Sequence, residues 1–118
     1  MDIVFISELR VDTVIGVFDW EREIRQTVVL DLEIASDNAR AAQSDNIEHA
    51  LDYAAISIRI QRFIEGSEFQ LIETMAEQVA ALLIKEFGIA WLRLRLSKPG
   101  AVASAAEVGV QIERGVRP

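Results

Sequence analysis

The sequence predicts an α+β subunit: a four-stranded antiparallel sheet carrying two helices on one face. Three observations lead there. Two stretches rich in β-branched or alternating apolar residues open the chain and two more close it. Two segments of helical period fill the middle. The 118 residues suffice for one core, so the chain reads as a single domain over residues 1–118. Helices grouped between paired strands, rather than alternating with them, favour an antiparallel sheet with both helices on one face.

In order, Ile3 to Val17 reads as a long first strand with a bulge near Ser7 to Leu9, ending at Gly16. Gly16 to Arg25 is a loop carrying the charge cluster Asp19-Trp20-Glu21-Arg22-Glu23, where a solvated connection is the plain reading and Trp20 suits packing. From Thr27 to Ile34, Val28, Leu30, Leu32 and Ile34 alternate with Thr27, Val29, Asp31 and Glu33, giving a second strand that pairs with the first. Asp37 to Asp45 is alanine-rich and suits one or two helical turns. Asp52 can cap a helix running to Glu65, with Ala55, Ile56, Ile60, Phe63 and Ile64 along its apolar side. Gly66 breaks it. A stronger helix follows from Leu71 to Phe87, with Ile72, Met75, Ala76, Val79, Leu82, Leu83 and Phe87 at helical spacing, and Gly88 stops it. Leu92, Leu94 and Leu96 then alternate with Arg93, Arg95 and Ser97, and Val108, Val110 and Ile112 form the last strand.

Composition narrows the function. The formal net charge of -7 argues against nucleic acid as a partner, since phosphate binding relies on clustered Lys and Arg. No segment approaches a membrane span. Met1-Asp2-Ile3-Val4 begins directly in strand pattern without a basic leader, and there is no cysteine, so a cytoplasmic protein is expected. One histidine and no cysteine make a zinc site a poor fit. A small ligand or another protein is the expected partner.

The chemical centre is expected at Ser97-Lys98-Pro99-Gly100-Ala101. Pro99 biases Lys98 to extended backbone and donates no ladder hydrogen bond, so pairing should stop near Lys98 while its direction stays fixed. A solvated lysine at a turn would look the same. Only a surrounding pocket separates the two readings. Tyr53, at a helix start, suits packing or chemistry. Glu73, in the first turn of its helix, is stabilised as a carboxylate by the helix N-terminus whatever else it does.

Taken together, Gly16-Val17-Phe18-Asp19-Trp20-Glu21, Asp52-Tyr53-Ala54, Phe69-Gln70-Leu71-Ile72-Glu73 and Ser97-Lys98-Pro99-Gly100-Ala101 resemble the dihydroneopterin aldolase family over nearly the whole chain. The resemblance implies the tunnelling fold, in which four ββααββ subunits close a β-barrel, two rings stack as an octamer, and the sites lie between subunits. It implies a pterin-anchoring glutamate at Glu73 beside Ile72, a second ligand-contacting glutamate at Glu21, and Tyr53 and Lys98 as the proton-transfer groups. It implies retro-aldol cleavage of 7,8-dihydroneopterin in folate biosynthesis, accompanied by epimerisation at C2′, with neither cofactor nor metal. Two other readings remain open at this stage. One is the dihydroneopterin triphosphate 2′-epimerase, for which Arg22, Arg25 or Arg59 could form a phosphate patch. The other is a non-catalytic pterin-binding ring.

Overall fold

The computed structural model describes residues 1–118. Four strands, β1 (Ile3–Thr13), β2 (Gln26–Ala35), β3 (Trp91–Pro99) and β4 (Glu107–Gly115), form one antiparallel sheet in the order β1-β2-β3-β4. The connections hold four helices: α1 (Asp19–Arg22), α2 (Asn38–Ser44), α3 (Tyr53–Glu65) and α4 (Ile72–Phe87), with a single 3-10 turn at Ile47–His49. The expected order of two strands, two long helices and two strands is present. The short α1 and the 3-10 turn are additions within the loops.

The alternation read from sequence sets the register. Leu30, Leu32 and Ile34 stand opposite Leu96, Leu94 and Leu92, and this stripe is fully buried under the helices. Helix α3 lies over β1, and α4 over β3 and β4. Ile56, Ile60 and Ile64 of α3 and Met75, Ala76, Val79, Ala80 and Leu83 of α4 complete one core. Asp52 caps α3 as its residue type predicts, accepting from the Ala55 N–H at 3.0 Å. Gly88 ends α4 at φ 63, a left-handed conformation that costs glycine little.

The helix-free face of the sheet is charged. Arg93 donates to Glu33 on β2 at 2.9 Å and to Glu113 on β4 at 2.6 Å, and Arg95 donates to Glu107 at 2.9 Å. Register explains the first set, because Glu33, Arg93 and Glu113 stand abreast on three adjacent strands. Trp91 lies on this face yet is buried, its ring covered by Arg93 at 5.6 Å and Arg117 at 4.8 Å.

One expectation needs correction. The first strand stops at Thr13 rather than Val17, because buried Thr13 turns its hydroxyl to the Ile64 carbonyl at 2.7 Å and ties the strand end to the end of α3. Pairing ends at Pro99, next to Lys98 as expected, with Pro99 opposite Glu107. The bulge falls where expected: the register shifts between Ile6 and Leu9, and the Glu8 N–H donates to the Asp31 carboxylate at 2.9 Å.

Candidate functional site

The stripe that builds the core also aims Lys98. Residues 92, 94, 96 and 98 share one face of β3, so Lys98 follows Leu96 into the space between sheet and helices rather than out to solvent. Its side chain is only 13% exposed, and its Nζ donates to Glu21 Oε2. The solvated-lysine reading is therefore overturned for this residue.

Glu21 reaches the pair by a local route. The loop after β1 folds into the single turn α1, with Phe18 as its N-cap and Glu21 as the third helical residue. From there the carboxylate bends back to accept from the Phe18 N–H at 3.3 Å, as a capping-box glutamate does. Its other oxygen accepts from Gln26 Nε2 at 3.0 Å as well as from Lys98. Gly16 makes the space: its φ is 125, and a Cβ there would lie 2.2 Å from Glu21 Cδ. Glu21 is 4% exposed, so the solvated reading of the charged loop fails for this residue, while Asp19 and Glu23 remain exposed. The hydrogen bond from the Lys98 ammonium, and after it that from the Gln26 amide, pull its pKa from 4.5 to about 2 against the opposing effect of burial.

Around this pair is a cavity of about 220 Å³. Gly16, Val17 and Phe18 form one wall and Gln70, Leu71, Ile72 and Glu73 another, with Lys98 and Val108 at the sheet end. Glu73 stands exposed in the first turn of α4. The site thus combines an apolar slot, an accepting carboxylate at one end and a lysine–carboxylate pair at the other. A larger cleft of about 520 Å³ lies at the opposite end of the sheet around Met1, Phe87 and Pro118, but no lysine, tyrosine or histidine lines it, so the smaller cavity is where the chemistry can reside.

The structure brings together Glu21, Ile72, Glu73 and Lys98, all expected from sequence, and leaves out one. Tyr53 begins α3 at 60% exposure and does not line the cavity. One residue, Gln26, went unnoticed in sequence, and another, Arg22, was read only as a possible phosphate contact. Gln26 holds Glu21 while also donating to the Ile15 carbonyl at 2.9 Å, and Arg22 is engaged by main-chain carbonyls. Neither carries a motif, and their partners are set only by the folded loop. The phosphate patch is absent: Arg22 and Arg25 are committed to backbone carbonyls, and Arg59 pairs with Glu86 at 2.9 Å.

A family model described as FolB, dihydroneopterin aldolase, matches residues 4–113. The chain is 54% identical over 115 residues to a dihydroneopterin aldolase of Escherichia coli K12, covering 98% of this chain and 94% of the relative. It is 48% identical to that of Haemophilus influenzae, covering 98% of each. The crystal structure of the E. coli dihydroneopterin aldolase in complex with neopterin superposes with a TM-score of 0.95 at 54% identity, covering 98% of this chain and all of that one. A dihydroneopterin triphosphate 2′-epimerase of Pseudomonas aeruginosa is more distant, at 30% identity over 91% of this chain and 87% of its own.

Proposed function

The chain belongs to the dihydroneopterin aldolase family, and from that premise we propose that Glu21, Ile72, Glu73 and Lys98 form its pterin site, completed by Tyr53 of a neighbouring copy. The activity is that of a dihydroneopterin aldolase, a carbon–carbon lyase of folate biosynthesis that releases 6-hydroxymethyl-7,8-dihydropterin and glycolaldehyde. The observation that supports the site is the convergence of Glu73, Glu21 and Lys98 on one cavity from three separate segments.

The chemistry follows from the substrate. The C=N bond between N5 and C6 is conjugated to C1′, so the electron pair released when the C1′–C2′ bond breaks moves into the ring as an enamine. The substrate is its own electron sink, and neither a lysine Schiff base nor a Lewis acid is required. What remains is proton movement. The 2′-hydroxyl proton leaves as C2′ becomes the aldehyde carbon and N5 gains a proton; C1′ is then protonated while N5 gives its proton up, which restores the N5=C6 bond in the hydroxymethyl product. Lys98 and Tyr53, with water where the distance demands it, divide these transfers. Glu21 fixes Lys98 at the reacting end, and its carboxylate keeps a countercharge beside every protonation state of the lysine. Glu73 accepts two hydrogen bonds from the pterin amino group and adjacent ring N–H, which selects this edge of the ring and offsets part of the carboxylate's desolvation. Ile72 and Val17 supply apolar walls.

The same enamine, re-adding to the other face of glycolaldehyde, epimerises C2′ and yields dihydromonapterin as a side reaction. We place the reaction in the cytoplasm; no helix of the chain is long and apolar enough to cross a membrane.

Assembly completes the site. Strands β1 and β4 are both free edges, and pairing β1 of one copy with β4 of the next closes a four-subunit barrel with the charged face inward, two such rings stacking as an octamer. Val17, Phe18, Trp20 and Leu71, exposed around the cavity, then meet the neighbour. Tyr53 enters the site only in such an assembly.

Incubation with 7,8-dihydroneopterin should yield both products, and the triphosphate should be a much poorer substrate because Arg22, Arg25 and Arg59 are already engaged. Preferential turnover of the triphosphate would favour the epimerase reading.

A further inference from the structure

We propose that Arg22 is the positioning residue that sets the width of the pterin cleft. The cleft's two walls come from segments some fifty residues apart, Gly16 to Glu21 and Gln70 to Glu73. No backbone hydrogen bond joins Gly16–Phe18 to Glu68–Leu71. Arg22 joins them through side-chain bonds. Its Nη1 donates to the Gly16 carbonyl at 2.9 Å and to the Phe69 carbonyl at 3.1 Å, and its Nη2 donates to the Glu68 carbonyl at 2.5 Å. One rigid guanidinium thereby spans both walls, and its planar fork fixes their separation in a way that a flexible ammonium cannot.

Other ties in this region act elsewhere. Thr13 bonds the Ile64 and Ser67 carbonyls, and Arg25 bonds those of Asp12 and Glu65, so both secure the strand end to α3 and leave the cleft itself untouched. Arg22 grips the carbonyl of Gly16, the residue whose missing Cβ admits the Glu21 carboxylate. On the other side it grips the peptides that lead directly into α4, where Ile72 and Glu73 stand. It does not line the cavity, so it acts through the walls rather than on the ligand.

A flat bicyclic ring held at its edge by Glu73 gains most from walls at van der Waals separation, and loosening them removes binding before it removes chemistry. Lys98 keeps its place in such a variant, because Glu21, itself held by Gln26, still accepts from it. The inference rests on the pterin site proposed above. In Arg22→Met, the KM for dihydroneopterin and the Kd for neopterin should each rise about tenfold, with kcat within about threefold of the parent, and Arg22→Lys should fall between. The measurements are steady-state kinetics and neopterin fluorescence titration on both variants, corrected for folded fraction, with Glu73→Gln in parallel. A lower Tm with unchanged KM and Kd makes Arg22 a stability residue and overturns the proposal, as does a loss confined to kcat. If Arg22→Met fails to fold, Arg22→Lys decides by the same criteria. If Glu73→Gln binds neopterin like the parent, the site assignment fails and this inference with it; if only the Arg22 variants bind normally, the site stands and Arg22 alone is misassigned.

Discussion

Lys98 and Glu21, 77 residues apart in the chain, form a buried ion pair at the end of the sheet. The pair is asymmetric in its supports. Glu21 also accepts from Gln26 and the Phe18 N–H, whereas the lysine's only protein partner is Glu21. The carboxylate is therefore the fixed member, and the ammonium has donors left for a substrate.

That fixing predicts an acid transition. The folded-state pKa of Glu21 lies near 2 against 4.5 for the free group. Between those values the unfolded chain binds more protons than the folded one, so stability rises with pH there. The contribution is complete above about pH 4.5 and is lost as pH falls toward 2. Chemical denaturation between pH 5 and 3 should show a steeper loss in the parent than in Glu21→Gln; parallel curves would mean that the pair does not stabilise the fold.

Glu73→Gln should weaken pterin binding more than the chemical step, because an amide N–H then faces a ring N–H where an acceptor stood. The expected loss is on the order of 2 kcal/mol or more in neopterin affinity. Calorimetric titration measures it, and unchanged affinity removes Glu73 from the anchor role.

Lys98→Ala should retain neopterin binding and lose turnover by about a hundred- to ten-thousand-fold. Epimerisation at C2′ should fall with cleavage, since both pass through the same enamine. Lys98→Arg should not recover activity, as a guanidinium stays protonated at any working pH. Near-parental turnover in Lys98→Ala would move the proton chemistry to Tyr53 and water.

Subunit mixing tests whether Tyr53 comes from a neighbour. Tyr53→Ala and Lys98→Ala preparations, each inactive alone, should regain activity when unfolded and reassembled together, because about one interface in four then holds both intact residues. No recovery, in rings shown by mass spectrometry to be mixed, would place both residues in one subunit's site.

Much of this was legible in the sequence because it depends on short-range periodicity. The Leu92-Leu94-Leu96 stripe gave β3 its face, and extended by one step the same stripe points Lys98 inward, a signal present in the spacing and not exploited. Asp52 and Gly88 announced the helix ends by residue type. The partner of Lys98 was not legible, since a contact between residues 21 and 98 depends on where a four-residue helical turn places one carboxylate. Arg22, Arg25 and Arg59 looked free for phosphate for a related reason: backbone carbonyls are acceptors that a sequence does not display. Tyr53 shows a different limit, for its motif marks it as functional while the single folded chain leaves it exposed and outside the cavity lining.

The buried Trp91, sheathed by two guanidinium groups, gives the molecule a spectroscopic asymmetry. The chain's other tryptophan, Trp20, is 60% exposed on α1 beside the cleft. Emission from Trp91 should be short in wavelength and hard to quench with iodide or acrylamide, whatever the protein concentration. Trp20 should emit at long wavelength in an isolated chain and shift to the blue when a neighbouring copy covers that surface. Fluorescence during dilution thus separates loss of assembly from loss of fold without an added label, Trp20 responding to the first and Trp91 only to the second.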